Sequence, residues 1–262
     1  MTTLTQFGTF GAIVDNIGPQ RKPLPLLTVA EMRKYGTNFA LGAAMDDLGN
    51  MTGEVTMVDG QAYLATQAKH VRRMHDFEKV GFVQFANIPP KGSVHRSIFA
   101  TSPEDLIAQC KKSLPECDQH AFMVRLRGEF NVIDYRGMNT VHAQYDSAID
   151  MMERSPIQRA MHESFTLSGV YQQPVSTLKD IGVEGLHLHG ISDDRLKNPY
   201  TAKGGHITNF LGFRGMVDIM PVHEWHVGTK TAVLNPAEPN KIVQTDQLYC
   251  FPGLGNAAEI NR

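Results

Sequence analysis

The chain has 262 residues, 42% of them hydrophobic and 20% charged, which is typical of a globular protein large enough to bury a substantial core. Its formal net charge of -2 offers no basic surface, so we expect neither nucleic acid nor anionic lipid as a partner. Three cysteines, none in a CxxC pair, do not indicate a disulfide framework. The chain lacks an apolar run of about 20 residues and an amino-terminal signal pattern, so we expect no membrane segment and a cytoplasmic location.

The first half of the chain carries signals for a helix, a hairpin and a second helix. Thr28-Val-Ala-Glu31 is a capping box, which marks the start of a helix. Strand-like runs on either side of Asp59-Gly60 predict a hairpin over residues 54–64, because this dipeptide is typical of tight turns. A serine cap, a proline at the first helical position and two acidic residues in the first turn predict a helix over residues 102–112.

The second half is richer in strand-like segments. Arg127-Gly128 separates two of them and predicts a second hairpin over residues 121–133, and Ser155-Pro156 predicts a third helix. Two further strands are expected at residues 186–190 and 207–213. These elements predict an α+β fold: a strand-rich, two-lobed single unit with mixed or antiparallel sheets and a few short helices.

A pair of histidines on a predicted strand is the sharpest chemical signal. Residues two apart on a strand point to the same face, so His187 and His189 would present two imidazoles side by side. His206 follows Gly204-Gly205, where the backbone can approach its neighbours closely, and a return strand would bring its ring beside the pair. Three neutral imidazoles without cysteine suit a catalytic zinc ion that keeps open coordination positions.

Other interpretations of the histidines remain open. A His-x-His pattern also fits an ordinary polar strand face, with His206 in a loop. His223-Glu-Trp-His226 is a second candidate cluster, although it lacks the HExxH spacing of metalloproteases. Asp193 and Asp194 are candidate acceptors that would orient the imidazole rings of a metal site.

The segment Gly185-Leu-His-Leu-His-Gly-Ile-Ser-Asp-Asp-Arg195, followed by Gly204-Gly-His206, resembles the zinc-binding signature of the acetolactate decarboxylases. Gln6–Ile13 and Gly53–Tyr63 are similar to further segments of that family. The resemblance implies a single acetolactate-decarboxylase-like domain over residues 1–262, with Zn2+ as cofactor. Members of the family are typically dimers, so it also implies a homodimer.

The resemblance also implies site residues. It assigns three zinc ligands: His187, His189 and His206. Glu54 corresponds to the family's active-site carboxylate and Arg136 to its active-site arginine. The family uses a further glutamate near its carboxyl terminus, for which Glu259 is the nearest candidate and Glu238 an alternative.

The reaction implied by the resemblance is the zinc-dependent decarboxylation of 2-acetolactate to acetoin and CO2 through a metal-stabilised enediolate. Arg136 would hold the substrate carboxylate, and Glu54, with Glu259 as partner, would supply a proton to carbon. Two alternatives stay open. The segment between His189 and His206 is longer than usual for the family, which favours a zinc enzyme for another 2-hydroxy-3-keto acid or a metallohydrolase. The other alternative is a non-catalytic metal-binding homologue.

Overall fold

The computed structural model describes residues 7–10, 27–34, 38–67, 71–86, 93–116, 119–138, 140, 154–173, 185–198, 201–222, 224–227, 230–234 and 242–248. Within these ranges the strands are β1 (Phe7–Phe10), β2 (Leu27–Thr28), β3 (Phe39–Met45), β4 (Met51–Val58), β5 (Gln61–Ala65), β6 (Val71–Arg73), β7 (Lys79–Ala86), β8 (Val94–Ala100), β9 (Ala121–Arg136), β10 (Gln158–Gln172), β11 (Gly185–Ser192), β12 (Gly204–Pro221), β13 (Glu224–Val227), β14 (Lys230–Leu234) and β15 (Ile242–Leu248). The helices among the described residues are α1 (Val29–Lys34), α2 (Pro103–Lys112) and a 3-10 turn (Asp193–Leu196). The predicted strand-rich α+β class is confirmed.

The strands form two sheets. The larger, 10-stranded sheet has the order β15-β14-β13-β1-β7-β3-β4-β5-β6, with β2 paired to β7. The smaller, five-stranded sheet has the order β11-β10-β9-β12-β8. All neighbours in both sheets are antiparallel except β1 and β13, which run parallel. The prediction of two lobes with mixed and antiparallel sheets therefore matches the described chain.

The smaller sheet closes on itself. Strand β11 pairs with β10 along its length and also with the start of β12, so that β9, β10, β11 and β12 form a ring of hydrogen-bonded strands. The interior is filled by large aromatic side chains in edge and tilted contacts. These are Phe130, Phe165, Phe210 and Phe213, all fully buried.

A second apolar cluster joins the two sheets. Phe39 and Leu41 of β3 pack with Met123 of β9 and Val170 of β10. Burial of apolar surface between the sheets stabilises their association and keeps water from the space between them. Residues at this junction therefore face a dry, closely packed environment.

Two of the three predicted helix starts are confirmed. In the capping box before α1, Thr28 Oγ1 accepts a hydrogen bond from the Glu31 amide at 3.2 Å, and the Glu31 carboxylate accepts one from the Thr28 amide at 2.7 Å. At α2, Ser102 Oγ accepts from the Asp105 amide at 3.3 Å, and the helix ends at Lys112. Helix α2 buries the thiol of Cys110, whose pKa burial raises to about 12. None of the helices in these ranges is long and apolar enough to cross a membrane.

The predicted hairpin over residues 54–64 is also confirmed. Strands β4 and β5 pair antiparallel up to Val58 opposite Gln61. Asp59 and Gly60 form the turn with φ values of 50° and 75°. Positive φ at both central positions is the geometry that favours Asp-Gly in tight hairpins.

Two other predictions are wrong. Residues 121–133 do not form a hairpin but belong to β9, one continuous strand of 16 residues. Gly128 lies in the middle of that strand, where a β-carbon would overlap the carbonyl oxygen of Arg214 on β12. The glycine therefore permits a close backbone approach rather than a turn. Ser155-Pro156 does not open a helix either, because the chain enters β10 at Gln158 and pairs with β9.

Candidate metal centre

The structure brings the three predicted histidines together. His187 and His189 lie two residues apart on β11, and both are buried. His206 lies near the start of β12, directly opposite His189 in the antiparallel register. One nitrogen from each ring falls within 4.8 Å of the others, which is compatible with three ligands to one metal ion.

Hydrogen bonds to the far sides of two rings fix where their protons lie. His189 Nδ1 lies 2.8 Å from the carbonyl oxygen of Val55, which can only accept, so this nitrogen carries the proton. His187 Nδ1 lies 3.2 Å from Oε1 of Gln84 and donates to it in the same way. The Nε2 atoms of both rings are therefore left with free lone pairs.

These lone pairs converge. The Nε2 atoms of His187 and His189 are 3.1 Å apart, and His206 Nδ1 lies 3.4 Å from His189 Nε2. Ligands about 2.0–2.1 Å from a tetrahedral zinc ion are about 3.3 Å from one another, close to both distances. The donor set and its spacing thus fit a zinc-sized cation.

The three imidazoles are neutral at physiological pH. The pKa of His189 is lowered to about 4, chiefly by burial; the hydrogen bond to Val55 opposes this shift, and the charge of Arg136 adds to it. Burial, followed by the neighbouring histidines, holds the pKa of His187 well below its usual range. The pKa of His206 is also held well below its usual range, first by burial and then by electrostatic interaction with His189 and Arg136. Neutral imidazole is the form that binds metal.

Glycines allow the strands that carry these rings to meet. A β-carbon at Gly205, where φ is +126°, would overlap the carbonyl oxygen of Arg136. A β-carbon at Gly204 would overlap the carbonyl oxygen of Gly190. Glycine at both positions therefore lets β12 lie against β9 and β11 at once, which sets His206 beside the pair on β11.

Glu54 brings a carboxyl group from the other sheet. It lies on β4, is 2% exposed, and its Oε2 is 3.6 Å from His189 Nε2. Its Oε1 is buried and has no hydrogen-bond partner among the described residues. Burial raises the pKa of Glu54 to about 8, with the charge of Arg136 opposing the shift. A carboxyl group of this kind is protonated for much of the time at neutral pH.

Arg136 contributes a positive charge at the same place. It is the last residue of β9 and lies opposite His206 in the register with β12. Its charge lowers the pKa of Glu54, His189 and His206, which places it within electrostatic reach of all three. The site thus combines three lone pairs, a carboxyl group and a cation between the two sheets.

The other candidates fall elsewhere. Glu259, Glu238 and His223 lie outside the described residues. Asp193 does not orient the rings: it accepts hydrogen bonds from Thr166 and Arg195 at the 3-10 turn. The acceptors that contact the rings are the Val55 carbonyl and the Gln84 side chain, which sequence reasoning missed. The sequence does mark Gln84 as a candidate, because it is the sole polar residue between Val80 and Ala86 in an otherwise apolar strand.

A strand-rich, two-sheet fold with buried imidazoles, a carboxyl group and a cation at the sheet junction defines a candidate metal centre equipped for acid–base chemistry. The family model for alpha-acetolactate decarboxylase matches residues 4–232 of the chain, and the chain belongs to this family. The activity class of the family is that of a carbon–carbon lyase acting on a carboxyl group, so the protein is a carboxy-lyase.

Individual relatives agree with this assignment. The chain is 25% identical over 225 residues to the alpha-acetolactate decarboxylase of Streptococcus thermophilus, covering 84% of this chain and 85% of that one. It is 24% identical over 221 residues to the enzyme of Lactococcus lactis subsp. lactis (strain IL1403), covering 84% of each.

Solved structures share the fold. The alpha-acetolactate decarboxylase of Bacillus subtilis strain 168 superposes with a TM-score of 0.69 at 20% identity, covering 85% of this chain and 88% of that one. A Staphylococcus aureus protein of unknown function, described as similar to alpha-acetolactate decarboxylase, superposes with a TM-score of 0.68 at 22% identity, covering 84% and 88%.

Proposed function

We propose that this protein is a zinc-dependent decarboxylase that converts 2-acetolactate to acetoin and CO2. The observation that carries the proposal is the convergence of imidazole lone pairs from His187, His189 and His206 beside the carboxyl group of Glu54. Membership of the alpha-acetolactate decarboxylase family supports the choice of substrate.

The donor set favours zinc as the metal. Neutral imidazoles without sulfur are typical ligands of catalytic zinc, and three of them leave further coordination positions for a substrate. Bound zinc would supply Lewis-acid chemistry, stabilising negative charge on oxygens next to the reacting carbon. His187, His189 and His206 would hold it, and the hydrogen bonds to Val55 and Gln84 would keep two of the rings in the ligating tautomer.

Arg136 would bind and orient the substrate carboxylate. A guanidinium group can form two parallel, charge-assisted hydrogen bonds with a carboxylate, which fixes its direction as well as its position. The position of Arg136 opposite His206 would set the bond to CO2 next to the metal-binding groups. When neutral CO2 departs, the electron pair of the broken bond stays on the remaining fragment, so the negative charge moves away from the arginine to the carbon that must be protonated.

Glu54 would supply the proton that carbon needs after CO2 has left. A carboxyl group whose pKa is about 8 holds a proton at neutral pH and can release it to a nearby carbanionic centre. Burial between the sheets excludes water, so the proton would come from this group rather than from solvent. The role of Glu259 as partner, the homodimer, the cytoplasmic location and the single domain over residues 1–262 stay predictions.

One observation favours a second candidate substrate. A cavity of about 540 Å³ is lined by residues of both sheets, including Val71 of the larger sheet and Tyr135 of the smaller sheet. Residues 201–204, from the long segment between His189 and His206, form part of its wall. The candidate metal ligands, Glu54 and Arg136 do not line this cavity, but Tyr135 and Gly204, close to Arg136 and His206 in the chain, do. A 2-hydroxy-3-keto acid bulkier than 2-acetolactate, such as 2-aceto-2-hydroxybutyrate, would have to extend past these two residues to use the space.

The deciding experiment measures acetoin formed from racemic 2-acetolactate by protein of known zinc content. We expect activity in the zinc-loaded protein, loss in His189→Ala, and retention in His75→Ala, which alters an exposed histidine outside the site. Zinc binding without acetoin formation would support the metal centre but contradict the proposal that 2-acetolactate is the substrate. Running 2-aceto-2-hydroxybutyrate in parallel compares the two substrates by their kcat/KM values.

A further inference from the structure

Gln84 is a buried amide that touches the candidate metal centre at one end only. It lies on β7 of the larger sheet and is fully buried. Its Oε1 is 3.2 Å from Nδ1 of His187 on the smaller sheet. Its Nε2 is buried and has no hydrogen-bond partner among the described residues.

The Oε1 end has a consequence for the metal-binding atom of His187. An acceptor at Nδ1 holds the imidazole proton there, so the lone pair stays on Nε2, the atom that faces His189 at 3.1 Å. The same contact fixes the rotation of the ring, because Gln84 is itself held in a packed strand. Partners of this kind commonly change metal affinity by about 10–100-fold when they are removed.

The Nε2 atom of Gln84 is a hydrogen-bond donor that needs an acceptor. A buried amide nitrogen without a partner is costly, so such groups are retained where a ligand or water satisfies them. Leu41 on β3 pairs with both Gln84 and Thr56, which puts these two side chains on one face of the larger sheet. Glu54, two residues before Thr56 on β4, shares that face. The unsatisfied donor therefore lies on the sheet face that also supplies the site's carboxyl group.

We propose that Gln84 is a positioning residue with two ends: Oε1 holds His187 in its ligating tautomer, and Nε2 donates to an oxygen of the bound substrate. The ligand class is a small 2-hydroxycarboxylate, whose hydroxyl and carboxylate oxygens are both acceptors. This inference rests on the proposed function for the identity of the ligand, but its metal-binding half does not depend on catalysis.

Two variants distinguish the role of the Gln84 Oε1 atom from that of its Nε2 atom. Gln84→Glu keeps an acceptor for His187 Nδ1 and loses the donor, whereas Gln84→Met is similar in shape and loses both. Gln61→Met, on β5 and partly exposed, is the matched control. Urea unfolding of each protein verifies that it is folded before any binding measurement.

The first readout is zinc affinity, measured by competition with a chromogenic chelator. We expect Gln84→Met to bind zinc about 10–100-fold more weakly than the unaltered protein. Gln84→Glu and Gln61→Met should bind zinc about as tightly as the unaltered protein. Nitrogen-15 shifts of His187 in the metal-free protein should show the proton on Nδ1. Undiminished zinc affinity in Gln84→Met, or a proton on Nε2, would overturn the tautomer role.

The second readout is calorimetric binding of 2-hydroxy-2-methylpropanoate, a stable 2-hydroxycarboxylate, to the zinc-loaded proteins. We expect binding to weaken about tenfold or more in both Gln84 variants, as the loss of a hydrogen bond to a charged group implies, and to be unchanged in Gln61→Met. Equal binding by Gln84→Glu, or no binding by the unaltered protein, would overturn the donor role. Absence of acetoin formation alongside the expected binding pattern would instead count against the proposed function alone.

Discussion

The Nδ1–H of His189, on the smaller sheet, donates a hydrogen bond of 2.8 Å to the carbonyl oxygen of Val55, on the larger sheet. Val55 follows Glu54 directly on β4, so one strand supplies both an acceptor that orients a candidate ligand and the carboxyl group beside it. The candidate metal centre is thus a contact between two sheets, and its occupancy and the stability of the fold should depend on each other.

Added zinc should raise the thermal unfolding temperature. A ligand that binds only the folded state stabilises it by about 4 kcal/mol at a thousandfold excess over its Kd. We expect the rise in calorimetric scans with zinc, and its reversal by excess chelator. His189→Ala should abolish the zinc-dependent rise and His75→Ala should retain it. An equal rise in all three proteins would place the stabilising zinc elsewhere.

Arg136→Lys should lower kcat/KM for 2-acetolactate by about 10–100-fold, the equivalent of a hydrogen bond to a charged group. Lysine keeps the charge but cannot form two parallel hydrogen bonds with a carboxylate. Steady-state kinetics would measure the change, with Arg127→Lys as the control because it alters an exposed arginine of the same strand that pairs with Asp59. Unchanged kinetics in Arg136→Lys would exclude a forked contact with the substrate.

Gly205→Ala should destabilise the protein more than Gly60→Ala does. Both residues have positive φ, which costs an alanine about 1–2 kcal/mol. At Gly60 the added methyl group meets open space, but at Gly205 it would overlap the backbone of Arg136. Urea unfolding would compare the two, and zinc affinity should fall only in Gly205→Ala. Equal free energies of unfolding would show that β9 and β12 do not need the close approach.

The elements predicted correctly from the sequence are those whose cause is local. The capping box at Thr28 and the Asp-Gly hairpin turn each depend on residues within a few positions, so a short window contains the whole signal. The shared face of His187 and His189 follows from the two-residue period of a strand alone. These features needed no knowledge of which strands pair.

The wrong predictions have a different cause, because the role of each residue concerned depends on a partner that is distant in the chain. The sequence predicts a turn at Gly128, because no nearby residue reveals that β12 passes against it. Asp193 was a plausible acceptor by proximity, yet the acceptor that His187 contacts is Gln84, 103 positions away in the chain. Strand pairing between distant segments is what sequence patterns alone leave open.

Glu54 should make the metal-free protein less stable as pH rises. Its folded pKa of about 8 exceeds the value of 4.5 that it has when unfolded, so the stability it contributes is full below pH 4.5 and is lost as pH approaches 8. The buried histidines act oppositely, since their lowered pKa values remove stability only as pH falls below about 6.5. Between about pH 6.5 and 8 the glutamate should therefore dominate among these groups.

Glu54→Gln tests this dependence, because glutamine has the same shape and does not titrate. The free energy of unfolding of the metal-free protein, measured with urea at several pH values, should decline less steeply above pH 6.5 in the variant than in the unaltered protein. Parallel curves for the two proteins would mean that Glu54 is already ionised in the folded state.

The distance along the chain between Val55 and His189 also bears on how the molecule assembles. These residues are separated by 134 positions, and Gln84 and His187 by 103. Contacts between such remote segments form late, since closing long loops costs chain entropy before the contact is gained. We expect refolding chains to gain zinc affinity only in their slowest phase, so metal uptake would distinguish finished molecules from compact intermediates in which the lobes have not yet met.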